Sequence, residues 1–142
     1  MRTARHAFTL LELAMALAAV AIVAAFALPS WSARIARSQR IEAIAALYRA
    51  AQFVDTQTQV PAALPAGLDQ APQTGAPVYR VRLLPADESN GGYGLEALPV
   101  ATGPMRDDAC GAFTLDATGA RGNRNVTGDP SGRETENCWR GR

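Results

Sequence analysis

Phe8-Thr9-Leu10-Leu11-Glu12-Leu13-Ala14-Met15-Ala16-Leu17-Ala18-Ala19-Val20-Ala21-Ile22-Val23-Ala24-Ala25-Phe26-Ala27-Leu28 is the stretch that decides how this chain is read. From Leu13 to Leu28, sixteen residues in a row are Ala, Val, Leu, Ile, Met or Phe. With Phe8 to Leu11 they come to about the 20 residues that a helix needs to cross a bilayer. Arg2 and Arg5 precede them, so the positive-inside rule keeps the first residues cytoplasmic and turns the rest outward. An ordinary secretory signal is cut after its apolar region at small residues, here near Ala24-Ala25 or Ala27. Glu12 argues against such a cut. A signal peptide has no use for an acid near the start of its apolar run, and a bilayer penalises one. The choice for Glu12 is between snorkelling to the headgroups and finding a positive partner.

Ala7-Phe8-Thr9-Leu10-Leu11-Glu12, followed by the apolar run, resembles the type IV prepilin motif. The resemblance implies that a prepilin peptidase cuts between Ala7 and Phe8, that the new Phe8 amine is N-methylated, and that Glu12 serves subunit assembly. Pro29 falls where many family members place a helix-kinking proline. The family prefers glycine before the cut, and alanine, the smallest replacement, stands here, so slower cleavage is expected. The physical role of Glu12 then follows. A carboxylate among apolar helices costs several kcal/mol unless it is paired, and the Phe8 amine of an incoming subunit neutralises the Glu12 of one already assembled.

After Pro29, Ser30-Trp31-Ser32-Ala33-Arg34 reads as the membrane exit, with Trp31 at the interface. Helix is expected to resume there, with Arg34, Arg37 and Arg40 on a polar stripe and Ile35, Ile41, Ile44, Ala45, Leu47, Tyr48 and Ala51 on the buried face. It should end near Val54 to Thr58, before Pro61. Val60 to Pro77, rich in Pro, Ala, Gly and Gln, reads as a loop. Three strands are expected: Val78 to Leu84, Tyr93 to Val100, and Ala112 to Ala117. In the first, Tyr79, Val81 and Leu83 face the core and Arg80 and Arg82 face away. Ser89-Asn90-Gly91-Gly92 signals a hairpin, and Thr118-Gly119 closes the third strand.

Cys110 and Cys138 are too far apart for a CxxC redox pair and too few for a structural zinc site. In an oxidising compartment they would close a loop of roughly 28 residues, worth about 3 to 4 kcal/mol by the chain-entropy model. The alternative is two unrelated buried thiols, and the export signal favours the bridge. Beyond Gly119 the chain is polar and turn-rich, through Arg121-Gly122-Asn123-Arg124-Asn125 and Asp129-Pro130-Ser131-Gly132, and would wander unless tied down. Asp108-Ala109-Cys110-Gly111, Phe113-Thr114-Leu115-Asp116, Thr118-Gly119 and Cys138-Trp139 resemble minor pilins of the PilE type and their DNA-uptake relatives. The fold so implied is α+β, the type IV pilin fold: a long N-terminal hydrophobic helix on a small antiparallel sheet with a disulfide-bounded C-terminal loop. The expected organisation is a leader at 1–7, a membrane and filament-core helix at 8–29, its amphipathic continuation at 30–58, and an outer β domain at 59–142 with a disulfide loop at 110–138.

Catalysis finds no foothold in the sequence. His6, the one histidine, goes with the leader, which leaves no base for a Ser-His or Cys-His mechanism. No G-x-S-x-G elbow, Walker loop or Rossmann fingerprint occurs. Asp107-Asp108 and Asp87-Glu88 read as solvated turns, and no metal or cofactor is expected. Asn125-Val126-Thr127 fits a glycosylation sequon, a pattern common by chance. From Ala101 to Arg142 six arginines face six acids, net zero, so the summed charge gives no steering toward phosphate. Arg121, Arg124 and Arg133 remain candidate DNA contacts if the fold gathers them. The expectation is a type IV pilus subunit, a minor pilin. It would be single-pass in the bacterial inner membrane with a cytoplasmic N-terminus, then move to an extracellular pilus. Its partners would be the prepilin peptidase, other pilin subunits and the assembly machinery. A DNA-capturing competence pilin and a type II secretion pseudopilin are the alternatives.

Mass spectrometry of the mature protein should find an N-methylated Phe8 at its start, and Ala7→Gly should speed processing. A mature start between Ala25 and Leu28 would mean ordinary signal cleavage instead.

Overall fold

A computed structural model describes residues 9–124 and 132–141, without the side chains at 28–30. In chain order come α1 (Leu10–Asp55), β1 (Gln70–Ala71), β2 (Tyr79–Leu84), β3 (Gly94–Pro99), β4 (Ala112–Asp116), β5 (Arg121–Arg124) and α2 (Gly132–Trp139). The chain divides into two units, Met1–Ile35 and Ala36–Arg142.

The first unit holds the apolar part of α1. Thr9 caps it: its hydroxyl oxygen accepts the Glu12 amide at 3.1 Å while its carbonyl accepts the Leu13 amide at 3.1 Å. Thr9-x-x-Glu12 thus has capping-box spacing, and an acid in the first turn complements the helix dipole. Leu10, Leu11, Leu13, Met15, Leu17 and Phe26 are all exposed. The helix is long and apolar enough to cross a membrane by length and composition. It does not stop at Pro29 and resume, as the sequence reading had it, because residues 29–33 are helical. A proline removes one helical amide donor, and the helix continues across that loss.

In the second unit α1 buries Ala43, Ala46, Leu47, Ala50 and Val54. This face matches the expected one in part: Leu47 is buried and Ile44 and Ala51 pack against the core, but Ile35, Ile41 and Tyr48 are exposed and Ala43, Ala46 and Ala50 are covered instead. Leu47 supplies the largest fully buried side chain of this face, and the alanines around it fill little space themselves. The sheet is a meander in the order β1-β2-β3-β4-β5 with every pairing antiparallel. Period-two alternation sends Tyr79, Val81, Leu95, Ala97, Phe113 and Leu115 into the core. The β2–β3 connection is longer than a two-residue hairpin, running from Pro85 to Tyr93. Asn90 organises it from inside, accepting the Asp87 and Gly92 amides on Oδ1 at 3.0 and 3.1 Å and donating to the Pro85 carbonyl at 2.8 Å. Gly91 is required there, since its φ is +72° and a Cβ would stand 2.7 Å from Thr118 Cγ2.

Two polar links tie α1 to the connections that flank β3. Near the start of the packed segment, Arg40 donates from Nε to both Asp108 oxygens at 3.1 and 3.2 Å and from an Nη at 2.6 Å; the two side chains are only 15% and 8% exposed. Arg40 is therefore no member of a solvated stripe, and Asp108 no solvated turn. At the helix end, the Tyr93 hydroxyl donates to Asp55 at 2.7 Å. Burial, and then the Asp55 bond, push that hydroxyl up to about 12.

Asp108→Ala removes the carboxylate that neutralises Arg40 and should cost about 3 to 5 kcal/mol of stability. Arg40→Met with Asp108→Leu should cost clearly less. Thermal unfolding of the full chain in detergent, followed by circular dichroism, measures both.

Candidate functional site

The polar C-terminal segment is structured by three attachments. Cys110 and Cys138 are bridged, with their Cα atoms 5.7 Å apart. Trp139, next to Cys138, donates its indole N–H to the Gly122 carbonyl at 3.1 Å and meets the Phe113 and Tyr48 rings edge-on at 5.8 and 6.2 Å. Asn123 donates to the Cys110 carbonyl at 2.9 Å. The stretch expected to be a loop held by the Cys110–Cys138 bridge is thus β5, then residues 125–131 outside the description, then α2. Sequence reasoning missed β5 and α2 because they bury almost no large apolar side chain of their own. The two-residue β1 is too short to show a periodicity.

The three arginines singled out from the sequence have separate fates. Arg121 lies over the Tyr48 and Trp139 rings, its guanidinium carbon 5.8 and 5.5 Å from their centroids, where it closes the aromatic cluster. Arg133 is on α2, exposed. Arg124 is on the sheet face turned away from α1, and its guanidinium bonds Glu96 Oε1. The three do not share one ion-pair network. The sequon and most of the Asp129-Pro130-Ser131-Gly132 turn lie outside the described residues, as do Ala7 and Phe8. The side chain of Pro29 is likewise outside the description, and Glu12 sits in the first turn of α1.

What Arg124 joins was not read from the sequence. Glu96 is fully buried, although it is charged and points to the outer face. Its Oε2 accepts Arg82 Nε at 2.5 Å and an Nη of the same arginine, while its Oε1 takes Arg124. Both arginines remain more than half exposed. Cross-strand register builds the arrangement: Arg82 lies opposite Glu96, Glu96 opposite Thr114, and Thr114 opposite Gly122. At Gly122 a Cβ would stand 2.5 Å from Thr114 Oγ1, so a side chain there would force the Thr114 hydroxyl to turn away. The only sequence signal was the alternation that puts Arg80 and Arg82 outward. No metal-ligating group of His, Cys, Asp and Glu occurs among the described residues.

Residues 29–114 match the model of the family described as type IV minor pilin ComP, DNA uptake sequence receptor. The match ends before Arg121, Arg124, Arg133 and Cys138 and begins after the apolar run. A solved type IV pilin from Shewanella oneidensis is similar, with 23% identity over 61% of this chain and 89% of that one and a TM-score of 0.44. No curated protein matches significantly.

Reduction, or Cys110→Ser, should loosen α2, cost about 3 to 4 kcal/mol and open the segment between β5 and Cys138 to protease. Limited proteolysis with and without reductant reads this out. Unchanged cleavage would mean that Trp139 and Asn123 alone hold the segment.

Proposed function

The chain belongs to the family of the type IV minor pilin ComP, a DNA uptake sequence receptor, and from that membership we propose how it reaches and enters the filament. As a minor pilin it is a pilus subunit, and it acts with other pilin subunits and the assembly machinery. The observation that carries the proposal is the first unit of α1, where large apolar side chains from Leu10 to Phe26 are exposed. Only hydrocarbon or the same segment of neighbouring subunits can cover such a helix without a large solvation cost. The proposed order is therefore residence in the inner membrane, cleavage between Ala7 and Phe8, methylation of Phe8, and transfer of the helix into the pilus core.

Glu12 gives the transfer a direction. Its carboxylate makes no ion pair among the described residues of its own subunit. The Phe8 amine of a neighbour would supply the missing charge and set the register between subunits. Pro29 would let the membrane segment adjust as it leaves the bilayer.

A second role, DNA capture, is favoured by the family and by the exposed arginines of the sheet face. Arg121 and Arg133 are weaker candidates, since one is occupied by its aromatic partners and the other stands exposed on α2, outside the Arg82–Glu96–Arg124 cluster. Membership of a pilus family favours either role over that of a secretion pseudopilin.

Glu12→Leu removes a charge from the apolar segment but keeps the Thr9 cap, which uses the backbone amide of residue 12. The variant should accumulate in the inner membrane yet enter sheared pili poorly, with Glu12→Asp intermediate. Immunoblots of membrane and sheared-pilus fractions check this, and entry of Glu12→Leu at the wild-type level would overturn the pairing.

A further inference from the structure

We propose that Arg82 and Arg124, held over the buried carboxylate of Glu96, form a phosphate grip on the sheet face opposite α1, and that this is where the chain takes hold of a nucleic-acid backbone. The inference rests on the DNA-capture reading above and names the residues that carry it.

Charge and geometry support it together. Two guanidinium groups share one carboxylate, so the cluster carries a net charge of +1. A phosphodiester, with charge −1, neutralises it without stranding a charge on either side. Each guanidinium has five N–H donors. Glu96 takes two of those of Arg82, on Nε and one Nη, and one of those of Arg124. The side chains are 56% and 55% exposed, so the remaining donors reach solvent. Glu96 also fixes where they are. Unrestrained arginines would repel each other and lose rotamer freedom on binding, whereas these two are anchored beforehand and lose less. Beneath them Thr114 and Gly122 form a low floor, because Gly122 carries no side chain to fill it.

The other arginines of the outer domain are differently engaged. Arg106 pairs with Asp107 and Arg140 with Glu136, each an exposed neutral pair. Arg40 is buried on Asp108, and Arg121 lies over two rings. Arg80, two residues from Arg82 on the same face of β2, is 3.9 Å from Asp69 and 58% exposed. Arg82 and Arg124 are the cluster in which cations outnumber acids at hydrogen-bond distance among the described residues. Contact with phosphates positions a duplex but does not read bases, so the grip should be indifferent to sequence.

The experiment is fluorescence anisotropy of the full chain in detergent with a short labelled DNA duplex of arbitrary sequence, across a series of salt concentrations. Arg82→Gln and Arg124→Gln should each weaken binding several-fold and flatten the log K against log salt slope by about 0.9, the loss of one phosphate contact. Arg121→Gln and Arg133→Gln should leave the slope unchanged. Arg82→Lys keeps a charge and a donor beside Glu96 and should restore part of both affinity and slope, which separates lost contact from lost fold; a thermal unfolding curve on each variant completes that control. Wild-type binding that Arg82→Gln and Arg124→Gln leave intact, or that Arg121→Gln and Arg133→Gln abolish, would overturn the grip while leaving DNA capture standing. A wild-type chain that binds no duplex even at low salt would overturn both.

Discussion

The burial of one face of α1, Ala43, Ala46 and Ala50 with Leu47 between them, is the contact on which the outer domain depends. Alanines contribute little apolar area each, so Leu47, with Tyr79 and Phe113 packed edge-on at 6.1 Å, supplies most of the bulk of this core. A seam built from small residues has few bulky knobs to set its register. Arg40 with Asp108 and Asp55 with Tyr93 supply that register from opposite ends, fifteen residues or about 22 Å of helix apart. Asp108 works twice, because the oxygen that accepts Arg40 also accepts the Cys110 amide at 3.0 Å. The helix is thereby linked directly to the residue that anchors the C-terminal segment.

That segment shows how a stretch with little to bury becomes ordered. β5 brings Gly122 and Asn123, and α2 brings one cysteine and one tryptophan. The bridge limits how far α2 can depart, and Trp139 then needs only a short search to find Phe113, Tyr48 and the Gly122 carbonyl. Gly141 follows in a left-handed turn, φ +70°, with its Cα against Arg37 and Ile41 of α1, where any side chain would be crowded. Ile41 is therefore partly covered by the chain terminus instead of by the sheet, which explains how a large apolar residue can sit off the buried face.

What the sequence disclosed and what it hid follow from the range of the interactions. The apolar run, the strands β2, β3 and β4, and the Asn90-Gly91 turn are local patterns, and their periodicity was enough. On α1 helical spacing picks out Leu47, and in part Ile44 and Ala51, but alone it does not separate Ile41 and Tyr48, which are exposed, from Ala43, Ala46 and Ala50, which are covered. Glu96 was passed over for a related reason: a glutamate in a strand reads as solvent-facing. It does point outward, but it is covered by arginine stems from β2 and β5. Those partners are 14 and 28 residues away. Only the strand register, which no composition encodes, brings them together.

Net charge is a poor guide to what such a surface can hold. The C-terminal region sums to zero, yet charges separated by more than about 8 to 10 Å scarcely feel one another at physiological salt. What a phosphate meets is the local sum. Asp107, Asp108 and Glu136 are paired with their own arginines, while Asp87 and Asp116 lie at turns away from the two arginines of Glu96 and accept from turn hydroxyls and amides, Ser89 and Thr118 foremost, which hold both carboxyls below the usual range and keep them charged. The excess cation is left where one buried acid has been given two arginines. A fold that assigns its acids so unevenly can present a positive face without being a basic protein, and the same buried glutamate that keeps the two guanidiniums together also limits their joint charge to what a single phosphate can balance.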